Sequence, residues 1–240
     1  MPRRIALLLT NTDDSAFAQR HPDDALKVAA MLRPLRPDWT FDCFSAKDGR
    51  LPPEHDRYDG VVITGSIASV NDDAPWIAAL SDRVAALLAE RVPLVGLCFG
   101  HQLIARVLGG RVGANPDGLR VGVVTTRFTA AEPWMQPPAA ALALFAAHEE
   151  QVLALPAQAR VLGGDSGCPV GSFTVGDHVL TTQYHPELSP DFMAGLVEAF
   201  APAFGPEVTA RARGQIGRPV DAALFAQWMV NFLEQPRETR

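Results

Sequence analysis

The run Val95-Gly96-Leu97-Cys98-Phe99-Gly100-His101-Gln102 decides the fold. Its first half continues an apolar stretch from Val92 and predicts a buried strand. Its second half opens a helical pattern from Gly100 to Leu108 that stops at Gly109-Gly110. A strand passing directly into a helix is the unit of a parallel sheet. Glycines two residues before and two after Cys98 leave room for a sharp turn, as in a nucleophile elbow. A cysteine there stands at the carboxyl end of a strand, where open α/β sheets place their functional crevice. It also meets a helix N-terminus, whose dipole favours a thiolate. A lone cysteine is more often a buried core residue. The paired glycines and the change from strand to helix favour catalysis here.

The same rhythm extends to both sides. Ile5 to Leu9 predicts a strand, and Asp23-Asp24 opens a helix to about Leu32, stopped before Pro34. Thr40 to Phe44 and Tyr58 to Thr64 predict two more strands. A helix runs from Ala74-Pro75-Trp76 to about Glu90, with proline at its first turn, where a missing N–H is tolerated. Together these predict a parallel sheet with helices on both faces. Arg111 to Phe128 and Ala159 to Tyr184 hold short β-rich runs broken by glycine, expected as added, partly antiparallel strands whose last member returns to the main sheet. Pro137-Pro138 and the alanines after it read as a surface loop. Pro190–Ala201, Pro206–Arg213 and Asp221–Leu233 read as helices. The last carries Phe225, Trp228, Met229 and Phe232 as an apolar stripe, more often core than a partner surface. One domain over 1–240 is expected, with the helical region from about 190 packed on it.

Composition narrows the function classes. The 240 residues carry a net charge of −6, which argues against holding nucleic acid by charge. Hydrophobic residues at 48 % and charged residues at 20 % exclude a disordered chain. Cys43, Cys98 and Cys168 form neither a disulfide framework nor a C-x-x-C pair, so a reducing, cytoplasmic setting is expected. The apolar run Ala139 to Ala147 is too short to span a bilayer, and the run after Arg4 is too short for a secretory signal. His21, His55, His101, His148, His178 and His185 show no metal-ligand spacing, and no phosphate-cradling G-x-x-x-x-G-K-[ST] occurs. No metal, cofactor, nucleic acid or membrane is therefore expected.

Two further motifs sit at strand ends. In Gln183-Tyr184-His185-Pro186-Glu187, His185 and Glu187 are two apart. In extended backbone that spacing puts both side chains on one side. A thiol needs a base and the base needs an orienting group. The alternative is a polar strand exit with a helix cap. In Thr64-Gly65-Ser66, Gly65 can bring a backbone N–H close to an oxyanion, and the N–H of Phe99 is a second candidate. Alone, such a sequence is usually only a turn.

The elbow Gly96, Cys98, Gly100, Gln102 followed by His185-Pro186-Glu187 resembles the class I (triad) glutamine amidotransferases. The stretch Gly65-Ser66 through Val70 to Trp76 is similar to stand-alone members related to the glutaminase part of GMP synthase. So are Leu108 to Val112, His148-Glu149-Glu150-Gln151-Val152 and Gly176-Asp177-His178. The resemblance implies a three-layer, flavodoxin-like α/β fold with a mostly parallel sheet. It implies hydrolysis of the glutamine side-chain amide by Cys98, with His185 as base and Glu187 orienting it. Gly65 and Phe99 would supply oxyanion N–H groups, and Gln102 would lie near bound glutamine, with Ser66 and His148 as further contacts. A hydrogen-bonded structural role for His148 is equally open, and His101 is expected to point away from the thiol.

The glutaminase-like unit uses the whole length, so an ammonia-accepting synthetase would have to act in trans. The same triad would serve a hydrolase of another γ-glutamyl amide. A cysteine α/β-hydrolase is disfavoured because its acid precedes the histidine. A redox or chaperone-like protein is disfavoured because Phe99, not histidine, follows Cys98. The non-enzyme rival is a catalytically silent binding or regulatory subunit.

Overall fold

The structure is a computed structural model that describes residues 2–53 and 58–236, so His55 and both ends of the expected 1–240 domain lie outside it. In chain order the elements are β1 (Arg4–Leu9), α1 (Asp24–Leu32), β2 (Thr40–Ser45), β3 (Gly60–Ile63), α2 (Pro75–Ala89), β4 (Leu94–Leu97), α3 (Phe99–Val107), β5 (Arg111–Ala114), β6 (Arg120–Phe128), β7 (Ala141–His148), β8 (Glu150–Ala154), β9 (Arg160–Asp165), β10 (Cys168–Val175), β11 (Val179–Thr182), α4 (Pro190–Ile216) and α5 (Ala222–Leu233). Among the described residues, nine strands form one sheet in the order β2-β1-β3-β4-β11-β10-β9-β6-β7, and β5 pairs with β8 apart from it. The strands from β2 to β11 in that order run parallel. From β11 to β7 each neighbour is antiparallel. β11 is the expected returning strand, with Val179 opposite Leu94 of β4.

β1 from Ile5, β3 and β4 are apolar because both their faces are covered, whereas the edge strand β2, with Thr40, Asp42 and Ser45, stays partly exposed. Ile5 and Leu7 of β1 face a layer built by α1 and α5, whereas Ala6 and Leu8 face α2 and α3. This makes the molecule a three-layer α/β fold. The apolar stripe of α5 is core: Phe225, Trp228, Met229 and Phe232 are all buried. α4 adds a third cluster, in which Met193, Val197 and Ala212 pack on Val121 and Val123 of β6. α1 begins where its cap predicts, with the Asp23 carboxylate accepting the Leu26 N–H at 2.8 Å.

Two readings differ from the sequence expectation. β7 and β8 fall where no strand is predicted. β7 reads A-L-A-L-F-A-A-H, and alanine is depleted in strands. Packing overrides that preference, because Leu142 and Leu144 enter the main core. The surface-loop reading of the alanines after Pro138 ends at Ala140, where β7 takes over. The two helices expected at Pro190–Ala201 and Pro206–Arg213 are the two segments of α4, which Gly205 separates at φ 78° and ψ 165°.

β7 is last in the sheet order, yet Phe145 forms an isolated antiparallel bridge with His185, just beyond β11. The antiparallel half therefore curls back to the strand exits of the parallel half. Among the described residues, no helix is long and apolar enough to cross a membrane.

Candidate active site

Four residues that follow parallel strands line one edge of the sheet: Thr10 after β1, Thr64 after β3, Cys98 after β4 and Gln183 after β11. The Thr10 N–H donates to Thr64 Oγ1 at 3.0 Å. The Cys98 N–H donates to the Thr182 carbonyl at 2.8 Å. Gln183 Nε2 donates to Cys98 Sγ at 3.4 Å.

Cys98 has φ 48° and ψ −99°, a strained backbone for a residue with a side chain. The flanking glycines make that turn possible. A Cβ at Gly96 would lie 2.6 Å from the Gly100 carbonyl carbon, and one at Gly100 would lie 2.5 Å from the Ile63 carbonyl oxygen. Both obstacles are backbone atoms and cannot swing aside.

His185 and Glu187 share one side, as their spacing predicts. His185 Nδ1 lies 2.7 Å from Glu187 Oε1. The His185 backbone N–H donates to the Phe145 carbonyl at 2.9 Å, so β7 sets the position of this ring. The other ring nitrogen, Nε2, is buried and makes no hydrogen bond with a described residue. Burial alone would lower the imidazole pKa. The Glu187 carboxylate and the Cys98 sulfur outweigh it and raise the pKa well above the ordinary histidine value.

Gly65 sits between the thiol and the ring. A Cβ there would lie 2.9 Å from His185 Cε1 and 3.5 Å from Cys98 Cβ. The Thr64 carbonyl accepts from Thr10 Oγ1 at 3.0 Å and from the Gly100 N–H at 3.2 Å. A trans peptide points its N–H opposite to its carbonyl, so these bonds also fix the direction of the Gly65 N–H. Phe99 is the first residue of α3, and a helix's leading N–H groups have no intrahelical partner.

The expected substrate contacts divide. Gln102 Nε2 donates to the Glu150 carbonyl at 2.8 Å and to Gln183 Oε1 at 3.1 Å, so its amide is tied into the network that reaches Cys98. His148 Nδ1 lies 3.1 Å from the Glu150 carbonyl, and its buried Nε2 has no described partner. Burial pushes the His148 pKa down to about 4. Ser66 Oγ accepts the Ala68 N–H at 3.1 Å. His101 points away from the thiol, with Nδ1 2.9 Å from Thr181 Oγ1 and its ring against Phe173; burial pushes its pKa down to about 3. Cys168 is buried and its thiol pKa is pushed up to about 12 by burial, while Cys43 is exposed on β2.

Two adjoining cavities open beside these residues. One of about 230 Å³ has Gly65 and His185 in its wall, with Asp24, Lys27, Lys47 and Phe192. The other, of about 470 Å³, is walled by Gln102, His148, Glu149, Glu150, Phe200 and Phe204. Ser66, Ile67 and Ala147 border both. Sequence reasoning missed Thr10, Phe145 and Gln183. The signal for Thr10 and Gln183 was their place just past parallel strands; Phe145 had none.

A family model described as glutamine amidotransferase class-I matches residues 38–198. Gamma-glutamyl peptidase 3 of Arabidopsis thaliana is 33 % identical over 205 residues, covering 82 % of this chain and 81 % of that protein. A GMP synthase of Aeropyrum pernix is 31 % identical over 145 residues, 55 % of this chain and 25 % of that protein. The crystal structure of a glutamine amidotransferase from Thermotoga maritima, 18 % identical, matches with a TM-score of 0.76 over 98 % of this chain and 100 % of that one. That likeness alone speaks for the fold. Joined to a family match running from β2 into α4 and to a relative similar over most of both lengths, it leads to one conclusion: the chain belongs to the class-I glutamine amidotransferase family.

Proposed function

We propose that this chain is a single glutaminase-like unit that hydrolyses the side-chain amide of glutamine, or the same γ-amide in a larger γ-glutamyl compound, through Cys98, His185 and Glu187. The observation that carries the proposal is the strained Cys98 beside an imidazole that a buried carboxylate keeps charged. An imidazolium is the counter-ion a thiolate nucleophile needs.

In the first half-reaction, Cys98 Sγ attacks the γ-carbonyl carbon. The carbonyl electrons move to oxygen, which the Gly65 and Phe99 N–H groups stabilise. The C–N bond then breaks, His185 gives its proton to the departing nitrogen, and a γ-glutamyl thioester remains on Cys98. In the second, His185 takes a proton from water, and the hydroxide attacks the thioester. The C–S bond breaks, the new γ-carboxyl group gives its proton to solvent, glutamate leaves, and Cys98 is again a thiolate beside protonated His185. General acid–base help of this kind contributes ~10²–10⁴ in rate. With glutamine as substrate, the ammonia is released or passes to a synthetase subunit in trans.

The larger γ-glutamyl substrate is favoured by one comparison: the relative similar over 81 % of its own length is named a gamma-glutamyl peptidase. A glutamate-release assay on glutamine and γ-glutamyl amides tests the chemistry. Cys98→Ala is expected to lower turnover by ~10⁴ or more, and the wild type to carry a γ-glutamyl adduct on Cys98 by mass spectrometry. Undiminished turnover in Cys98→Ala would reject the proposal.

A further inference from the structure

We infer that the 230 Å³ cavity is the leaving-group subsite and that its lysines select a leaving group with a free carboxylate, namely an amino acid or short peptide bound through its amine. The inference rests on the hydrolase function proposed above and names its substrate class.

Direction comes first. The departing nitrogen must take a proton from His185, so the leaving group has to lie on the side this ring faces. Of the two cavities, the smaller has His185 and Gly65 in its wall. The larger has Gln102, Glu149 and Glu150, which suits the glutamyl half with its α-ammonium.

The wall of the smaller cavity then sets the chemistry. Lys27 Nζ lies 2.6 Å from Asp24 Oδ1 and 3.8 Å above the Phe192 ring, with its side chain only 13 % exposed. Asp24 also accepts from Asn11 Nδ2 at 2.8 Å and is the first residue of α1, where the helix dipole supports a carboxylate. An ammonium has three N–H donors. Asp24 takes one and the Phe192 ring covers another side, which leaves a donor for the cavity that Lys27 lines. The other carboxylates of this wall have backbone partners: Asp23 accepts the Leu26 N–H at 2.8 Å and Asp13 the Ser15 N–H at 2.9 Å. Lys47 lines the same cavity and pairs with the neighbouring Asp48, a half-exposed partner at 3.1 Å that holds it weakly. Lys27 and Lys47 thus both line the cavity that His185 borders, with Leu188, Phe192 and Leu196 as apolar backing. Ammonia as a leaving group would use none of this. Taking Lys27 and Asp24 out of water is costly, so fold stability alone does not account for the pair being there.

The test compares γ-glutamyl-alanine, γ-glutamyl-alaninamide and glutamine as substrates. The first two differ only in the terminal carboxylate. We expect the wild type to favour γ-glutamyl-alanine over the amide by about ten- to a hundredfold in kcat/KM, the range of a charged hydrogen bond. The preference should collapse in Lys27→Met, shrink in Lys47→Ala and survive in Lys27→Arg. Because the readout is a ratio, it does not depend on how much of a variant folds. Should Lys27→Met not fold at all, the wild-type ratio and Lys47→Ala still decide. Equal efficiency on the two γ-glutamyl compounds, or a preference that survives both Lys27→Met and Lys47→Ala, would overturn the subsite and leave the hydrolase standing. Turnover of none of the three would overturn the hydrolase itself.

Discussion

In the parallel half of the sheet, β1, β3, β4 and β11 all end at one edge, and the residues just past them carry the thiol and the network around it. In the antiparallel half, β10 and β7 reach that edge from the side. The Gly171 carbonyl accepts the Gln183 N–H at 2.8 Å and the Phe145 carbonyl accepts the His185 N–H at 2.9 Å. The two halves therefore do different jobs. Cys98 is placed locally, by a short stretch of chain whose glycines let one residue take a strained φ. His185 is placed at long range, by a strand from the far end of the sheet. A thiol held locally resists distant change, whereas an acid–base group held at long range depends on the whole fold.

The comparison breaks most visibly at Glu187. Replacing Glu187 by Gln keeps the shape but removes the charge that holds the His185 proton. We expect kcat to fall by ~10²–10⁴ on glutamine or a γ-glutamyl amide. The pH profile gives a second readout. A raised His185 pKa keeps the ring protonated until the pH rises through that value, so activity that needs the imidazolium is lost on the alkaline side. Without the carboxylate the value drops, and the alkaline limb should move to lower pH. An alkaline limb that stays in place would show that Glu187 does not hold the proton.

A smaller effect separates the two kinds of placement at the glycines. An added Cβ at Gly65 meets a side-chain atom, His185 Cε1 at 2.9 Å, whereas one at Gly100 meets backbone, the Ile63 oxygen at 2.5 Å. Gly65→Ala should displace the ring and lower kcat by ~10²–10³, as losing an oxyanion donor does, with little change in Tm. Gly100→Ala should push α3 off β3 and cost about 1–3 kcal/mol, read as a lower Tm. Equal losses of Tm in both variants would erase the distinction.

The same division explains what the amino-acid sequence makes legible. β1, β3 and β4 are buried on both faces, so each is an unbroken apolar run. The elbow and the His185–Glu187 pair are spacings of two residues, short enough to read along the chain. Phe145 lies in an alanine-rich stretch and reaches His185 only because the sheet curls, which no local pattern records. Gln102 and Gln183 meet between α3 and the exit of β11, so neither announces its partner. Gly205-Pro206 reads as a helix stop, and Gly205 does break α4 there.

The smallest expected effect probes both halves through buried histidines that stay neutral. His101, on α3, packs where β11 meets β10, beside Thr181 and Phe173; His148 closes β7. Burial pushes their pKa values down to about 3 and about 4, from an ordinary 6.5. Between those values and 6.5 the unfolded chain binds more protons than the folded one, so stability falls as the pH drops through this window. His185 has the opposite sign: its raised pKa adds stability that is complete below 6.5 and is lost as the pH climbs through the folded value. Moving from pH 7 to pH 5 should therefore cost about 2 kcal/mol for each neutral histidine. Urea unfolding at the two pH values measures it. His101→Asn and His148→Asn should each be less acid-sensitive than the wild type by about that amount. If only His101→Asn behaves so, the parallel half alone holds its histidine dry and neutral, and the curl of β7 admits water to His148. If neither does, burial is not what keeps these rings uncharged.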